Sequence, residues 1–338
     1  MGCPDRRWLT GLFIRVVLIS ALCWMTASSL IAQSKDKKKD PEQIGNRDVG
    51  NGVNFYSLEK EIALGKQLAQ EIERQAKFVD APVPAEFINR LAQNLARNSD
   101  IRVPVTAKLI DSSEVNAFAL PGGFLFVNSG LVMKAETEAE LASAMAHEIA
   151  HVAARHGTRQ ASRGQVINLA SLPLIFLGGW PGFAVRQGTG LAVPLAFLKF
   201  SRAFEDEADL LGLQYLYKSG YDPTAFVDFF ERMEALEKKR PGTVSDLFRS
   251  HPKVASRIKS TQKHIGELLA AQPQYVINTS EFQDVKQGLT ILERGRKATP
   301  EKTGPTLRRK SGSGSTIPDS ERDKTADDER PTLKRRNP

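Results

Sequence analysis

Residues 144–157 read AMAHEIAHVAARHG, with two histidines four residues apart and a glutamate directly after the first. On a helix, at about 100° per residue, His147 and His151 point within about 40° of each other, so both imidazoles can reach one metal ion. Met145, Ile149 and Val152 lie nearly opposite and are expected to face a core. Glu148 falls between the two faces, where a carboxylate reaches a metal-bound water without being a ligand. His156 falls on the apolar side and reads as a packed structural histidine rather than a third ligand. Thr137 with Glu140 forms a capping box, which predicts that the helix starts there.

H-E-x-x-H arises by chance in about one chain in a hundred of this length, so a functional reading needs a third ligand. The metzincin extension fails, because Ala154 and Gly157 stand where a glycine and a histidine are required. SRAFEDEADLLG, from Ser201, offers the gluzincin alternative. Glu205 and Asp209 are four apart on a second predicted helix, so Glu205 can be the third ligand while Asp209 holds a histidine by its free N–H. Glu207 points about 160° away from Glu205 on that helix. Alone, the segment would pass for an acidic, solvated helix face; the upstream histidine pair favours a metal site.

The rest of the chain predicts an α+β fold, mainly helical. SLEKEIALGKQLAQEIERQAK has Ser57 as an N-cap and apolar residues at helical spacing, and a second helix covers AEFINRLAQNLARNS. VPVTAKLID, VNAFALP and GGFLFVN read as short strands, and helical pattern returns at Thr137. Residues 33–52 read as a linker, 53–298 as the main domain and 299–338 as a disordered charged tail.

Arg6, Arg7 and Arg15 precede the apolar run from Val16 to Met25, and small residues follow around Ala27 to Ala32. Residues 1–32 therefore read as an export signal, cut near Ala32 to leave a periplasmic protein; an N-terminal membrane anchor is the alternative. Both cysteines, Cys3 and Cys23, fall inside that segment, so the exported chain would have no thiol chemistry. The net charge of +8 sits partly in the tails and forms no ordered basic stripe, so no nucleic-acid partner is expected. The apolar stretch 166–198 is broken by Pro173, Gly178, Gly179, Pro181 and Arg186. It is either a buried helical hairpin or a surface that meets a membrane or apolar substrate.

VNAFALPGGFLFVNSGL, HEIAHVAARH, SRAFEDEAD and SHP, in that order between about residues 55 and 265, resemble the CAAX-protease-like zinc metallopeptidases, peptidase family M48. The resemblance implies a gluzincin core with a small β-sheet edging the cleft, and one zinc ion per chain on His147, His151 and Glu205. It implies hydrolysis of peptide bonds in unfolded or membrane-associated proteins of the envelope, a quality-control role, with Glu148 as general base on a zinc-bound water. The strand GGFLFVN would border the cleft and pair with an extended peptide, making Asn116, Gly122, Gly123 and Phe124 candidate substrate-binding residues. A simple turn accounts for the glycines as well, and a structural turn for Asn116. The motif brings His251 over the metal, as an oxyanion donor or an inhibitory latch; as a bare helix cap before Pro252 it would do neither. A weakly active zinc-binding chaperone or assembly factor and a membrane-surface binding module are the alternative functions.

Overall fold

A computed structural model of the chain describes residues 37–164, 200–239 and 254–298. Contacts divide the chain into Met1–Gly295 and Arg296–Pro338, and the first unit holds all that follows apart from residues 296–298. The proposed signal, the apolar stretch 166–198, His251 and the tail 299–338 lie outside the described residues.

Helix α1 (Leu58–Gln75) starts as its sequence predicts, with Ser57 accepting from the Lys60 N–H, and buries Glu61, Gly65, Ala69 and Ile72 along one face. Helix α2 (Pro82–Arg97) opens on proline, which needs no N–H partner in a first turn, and buries Phe87, Ile88, Leu91, Ala92 and Leu95. Three short strands follow: β1 (Thr106–Ile110), β2 (Ala117–Leu120) and β3 (Phe124–Asn128). Their order is β1-β3-β2, with β1 parallel to β3 and β2 antiparallel to it.

This order corrects one expectation. GGFLFVN supplies β3, which is central and hydrogen-bonded on both sides; the edge strand is β2. The β2–β3 turn explains the two glycines. Gly122 and Gly123 have φ of +82° and +94°, and an added Cβ would lie 2.7 Å from the Ile62 Cα or 2.1 Å from the Pro104 oxygen. Phe124 packs with Leu68, Ile72, Phe118 and Phe126 in a small cluster between α1 and the sheet.

After a short α3 (Ser129–Lys134), helix α4 (Glu138–Ala153) carries the histidine pair. Every residue of α4 except Val152 is buried, so it is the central element of the fold. Its six alanines let neighbours approach on all sides: α5 (Arg202–Lys218) most extensively, then α6 (Ala225–Lys239), α2 and β2. Helix α7 (Val254–Leu268) rests on α5 and α6. Helix α8 (Ser280–Ala298) closes the core with Phe282, Val285 and Leu289. Among the described residues, no helix is long and apolar enough to cross a membrane.

Residues 37–49, expected to be linker, are anchored. Arg47 is buried and pairs with buried Asp100, while its other nitrogen donates to the Lys38 oxygen and Gln214 on α5. A charge this deep persists because it is paired and hydrogen-bonded.

Candidate metal centre

Thr137 caps α4 by accepting from the Glu140 N–H at 3.2 Å. Glu140 answers one residue early, accepting from the Glu136 N–H, and is also gripped by Arg232. The helix so fixed points His147 and His151 at α5. Their Nε2 atoms lie 3.0 Å apart, and the oxygens of Glu205 lie 3.5 and 3.6 Å from them. All three side chains are buried, and their ligating atoms lie within 4.8 Å of one another. It is the one such group among the described residues. A four-coordinate ion with bonds of about 2.1 Å holds neighbouring ligand atoms about 3.4 Å apart, so this donor set fits such an ion to within a few tenths of an ångström.

The back of each histidine is held as well. His147 Nδ1 lies 3.0 Å from Asp209 Oδ1, the partner its spacing from Glu205 predicts. Burial alone would lower the His147 pKa, but its hydrogen bonds to Asp209 and Glu205 outweigh that and raise it. Asp209 is in turn clamped by Arg257 of α7 through two bonds, of 2.7 and 2.6 Å. Burial would raise the Asp209 pKa; the Arg257 guanidinium outweighs it and holds the carboxyl below its ordinary range. Arg257 also reaches Glu205 at 3.4 Å and lies over the Phe230 ring. It is absent from the sequence-based site, although it stands six residues after His251 in the matching SHP motif.

His156 is fully buried, as expected, and stacks on Phe204, but it does more than pack. Its Nδ1 meets His151 Nδ1 at 2.9 Å and its Nε2 meets Glu207 at 3.1 Å. On an unbroken helix these two rings would point about 140° apart. The helix breaks at Ala154–Arg155, where Arg155 takes φ +56°, and residues 156–164 run on as a new helix. Arg155 is kept in that left-handed conformation by Glu61 and the Tyr56 oxygen.

Glu148 accepts from the Ala119 N–H of β2 at 3.1 Å. That bond turns the Ala119 amide away from β3, and the antiparallel alternation gives Ala117 the same outward aspect. The edge of β2 thus runs past Glu148 and the histidines. A pocket beside them is lined by Leu131, Ala144, Phe226, Phe229 and Phe230, with His147 and Glu148 on its wall. Asn116, just before β2, gives its main-chain oxygen to the Asn128 N–H, and its Oδ1 is buried with no hydrogen-bond partner among the described residues. Gly122, Gly123 and Phe124 are packed against α1 or the loop before β1, which favours the turn reading for them.

Comparison with known proteins follows the same motifs. The model of peptidase family M48 matches residues 66–265. The beta-barrel assembly-enhancing protease of Escherichia coli is 29% identical over 246 residues, covering 70% of this chain and 49% of that protein. The metalloprotease LoiP of the same organism is 30% identical over 211 residues, 62% of this chain and 80% of LoiP. The mitochondrial metalloendopeptidase OMA1 of Schizosaccharomyces pombe is 33% identical over 156 residues, with 45% and 44% covered. The chain spans about half the length of the beta-barrel assembly-enhancing proteases it matches. With one family model covering more than half of its residues, this chain belongs to peptidase family M48.

Proposed function

We propose that the protein is a zinc-dependent endopeptidase acting on unfolded or envelope-associated proteins, with His147, His151 and Glu205 as ligands of one zinc ion. The observation that carries this is the convergence of two imidazole Nε2 atoms and one carboxylate, all buried, beside a glutamate that is not among them. When bound, zinc supplies Lewis acidity toward the scissile carbonyl and makes water acidic enough to attack near neutral pH.

The chain's own groups do the rest. Asp209 takes the His147 Nδ1–H and so leaves the Nε2 lone pair for the metal. The Ala119 N–H orients the Glu148 carboxylate, which takes the proton of the attacking water and later delivers it to the leaving amine. The outward amide of Ala117 and the outward carbonyls of Ala117 and Ala119 suit pairing with an extended peptide, which reads main chain and not sequence, while the Ala119 N–H stays with Glu148. The Phe226–Phe229–Phe230 pocket suits one apolar side chain of that peptide. His251 remains a candidate to contact the metal or the oxyanion.

The relatives' names, a protease that enhances β-barrel assembly and a metalloprotease, support envelope proteins as substrates. The signal-like N-terminus supports export. The test is elemental analysis of the purified protein together with casein cleavage, with and without a chelator. One zinc per chain and cleavage abolished by chelation are expected; cleavage that survives complete metal removal would end the proposal.

A further inference from the structure

His156 and Glu207 belong to no proposed ligand set, yet they lie in line behind one. His151 Nδ1, His156 Nδ1, His156 Nε2 and Glu207 Oε2 form a chain with steps of 2.9 and 3.1 Å. Glu207 is also held by Lys38 at 2.6 Å and, from the same helix as His156, by Arg159 at 3.2 Å. The rings are held flat, with His151 on Phe200 and His156 on Phe204 at centroid distances of 4.0 and 4.3 Å.

Proton counting along the chain gives it a direction. A carboxylate only accepts, so His156 Nε2 carries the hydrogen given to Glu207. The His156 Nδ1 is then an acceptor, and the hydrogen between the two rings belongs to His151 Nδ1. That leaves the His151 Nε2 as a bare lone pair, facing His147 and Glu205. We propose that His156 is a positioning residue which, anchored by Glu207, sets the tautomer and ring plane of His151 and so completes its Nε2 as a metal ligand. It serves His151 as Asp209 serves His147. The difference is that the acceptor here is a neutral ring carrying the influence of a carboxylate one step further out.

The inference rests on the metal reading above, and its test separates the two. Zinc affinity is measured by competition with a chromophoric chelator, and the His151 tautomer by long-range proton–nitrogen NMR of the metal-free protein. His156→Phe keeps the stacking on Phe204 but has no acceptor. It should weaken zinc binding about ten- to a hundredfold, the scale of lost partners behind metal-bound histidines, and should mix the His151 tautomers. His156→Asn places an oxygen where Nδ1 stood and should recover most of the affinity. A wild-type protein that takes up no zinc would sink the metal reading itself. Tight zinc binding in both wild type and His156→Phe would overturn the relay alone, as would an Asn variant as weak as the Phe variant. If His156→Phe does not fold, Glu207→Gln and Lys108→Ala carry the test. The first should weaken zinc about threefold or more and blur the His151 signature; the second, which strips an exposed ion pair to Glu73 outside the relay, should change neither. Equal behaviour of the two would overturn the relay.

Discussion

At the scale of single residues, the site separates groups that would hold a metal from one that would move protons. Glu148 is buried next to His147 in sequence but is not one of the converging group: its carboxylate is turned to the β2 edge by the Ala119 N–H. Glu148→Gln should therefore keep full zinc occupancy while cleavage of an unfolded substrate falls about a hundred- to ten-thousandfold, the range for a lost general base. Substantial turnover at equal zinc content would remove Glu148 from the chemistry. Glu207 offers a second measurement. Burial would raise its pKa, but His156 and Lys38 outweigh that and bring it from the ordinary 4.5 down to about 2. As pH falls the unfolded chain takes this proton first, so the stability Glu207 contributes is full above pH 4.5 and drains between there and about pH 2. Urea unfolding of wild type and Glu207→Gln should converge over that window; parallel curves would mean the carboxylate is not held in the folded state. Much of this site is legible from residue spacing: the histidine pair, Glu205 and Asp209 all follow from positions on two helices. Arg257 and the His156 relay are not, because one comes from a remote helix and the other depends on a break that periodicity does not show.

At the scale of elements, the centre exists because α5 lies close enough to α4 for Glu205 and Asp209 to face the histidines. Gly212 sets that distance. A Cβ there would lie 3.0 Å from both the Cα and the N of His147, backbone atoms in a helix buried on nearly every side. Gly212→Ala should cost about 1–3 kcal/mol, as overpacking does, and should weaken zinc binding by pushing α5 outward. Chelator competition and urea unfolding on the same variant decide it; wild-type values in both would show that α4 yields easily. Arg257 makes the corresponding tie from α7. Arg257→Met leaves Asp209 buried without its cation and should cost about 3–5 kcal/mol, as breaking a buried pair does. A loss below about 1 kcal/mol in urea unfolding would mean that Asp209 is already satisfied without it. The helices and strands themselves were readable from capping residues and periodicity, since α1 begins after Ser57 and α4 after Thr137. Strand order was not. AFAL and FLFVN are both short and largely apolar, and all but one of their residues are buried; what lies along the free side of β2 is α4, a neighbour that local pattern cannot report.

At the scale of the whole molecule, the segment before the first long helix belongs to the folded unit. Charge and small residues made 33–52 look like a tether, yet Arg47 reaches between α2 and α5. It pairs with Asp100 at 2.9 Å, and Asp100 also accepts from the Tyr215 hydroxyl at 2.8 Å and the Gly45 N–H at 2.8 Å. Burial, then the Asp100 charge, raise the Tyr215 pKa well above its ordinary value, so the phenol stays a donor to that carboxylate. A few residues earlier, Lys38 reaches Glu207. An export cut near residue 33 would leave all of these contacts intact, whereas a chain beginning at residue 49 would lose Arg47, Gly45 and Lys38 together. Asp100 would then stay buried with the tyrosine alone. Breaking a buried ion pair from one side costs about 3–5 kcal/mol, and the shortened chain should lose at least that much in urea unfolding relative to one beginning at residue 33. Arg47→Met, which removes the cation but keeps the rest of the arm, should account for most of the loss. Equal stability of the three proteins would mean that the arm only rests on α5, and that the folded unit begins at α1.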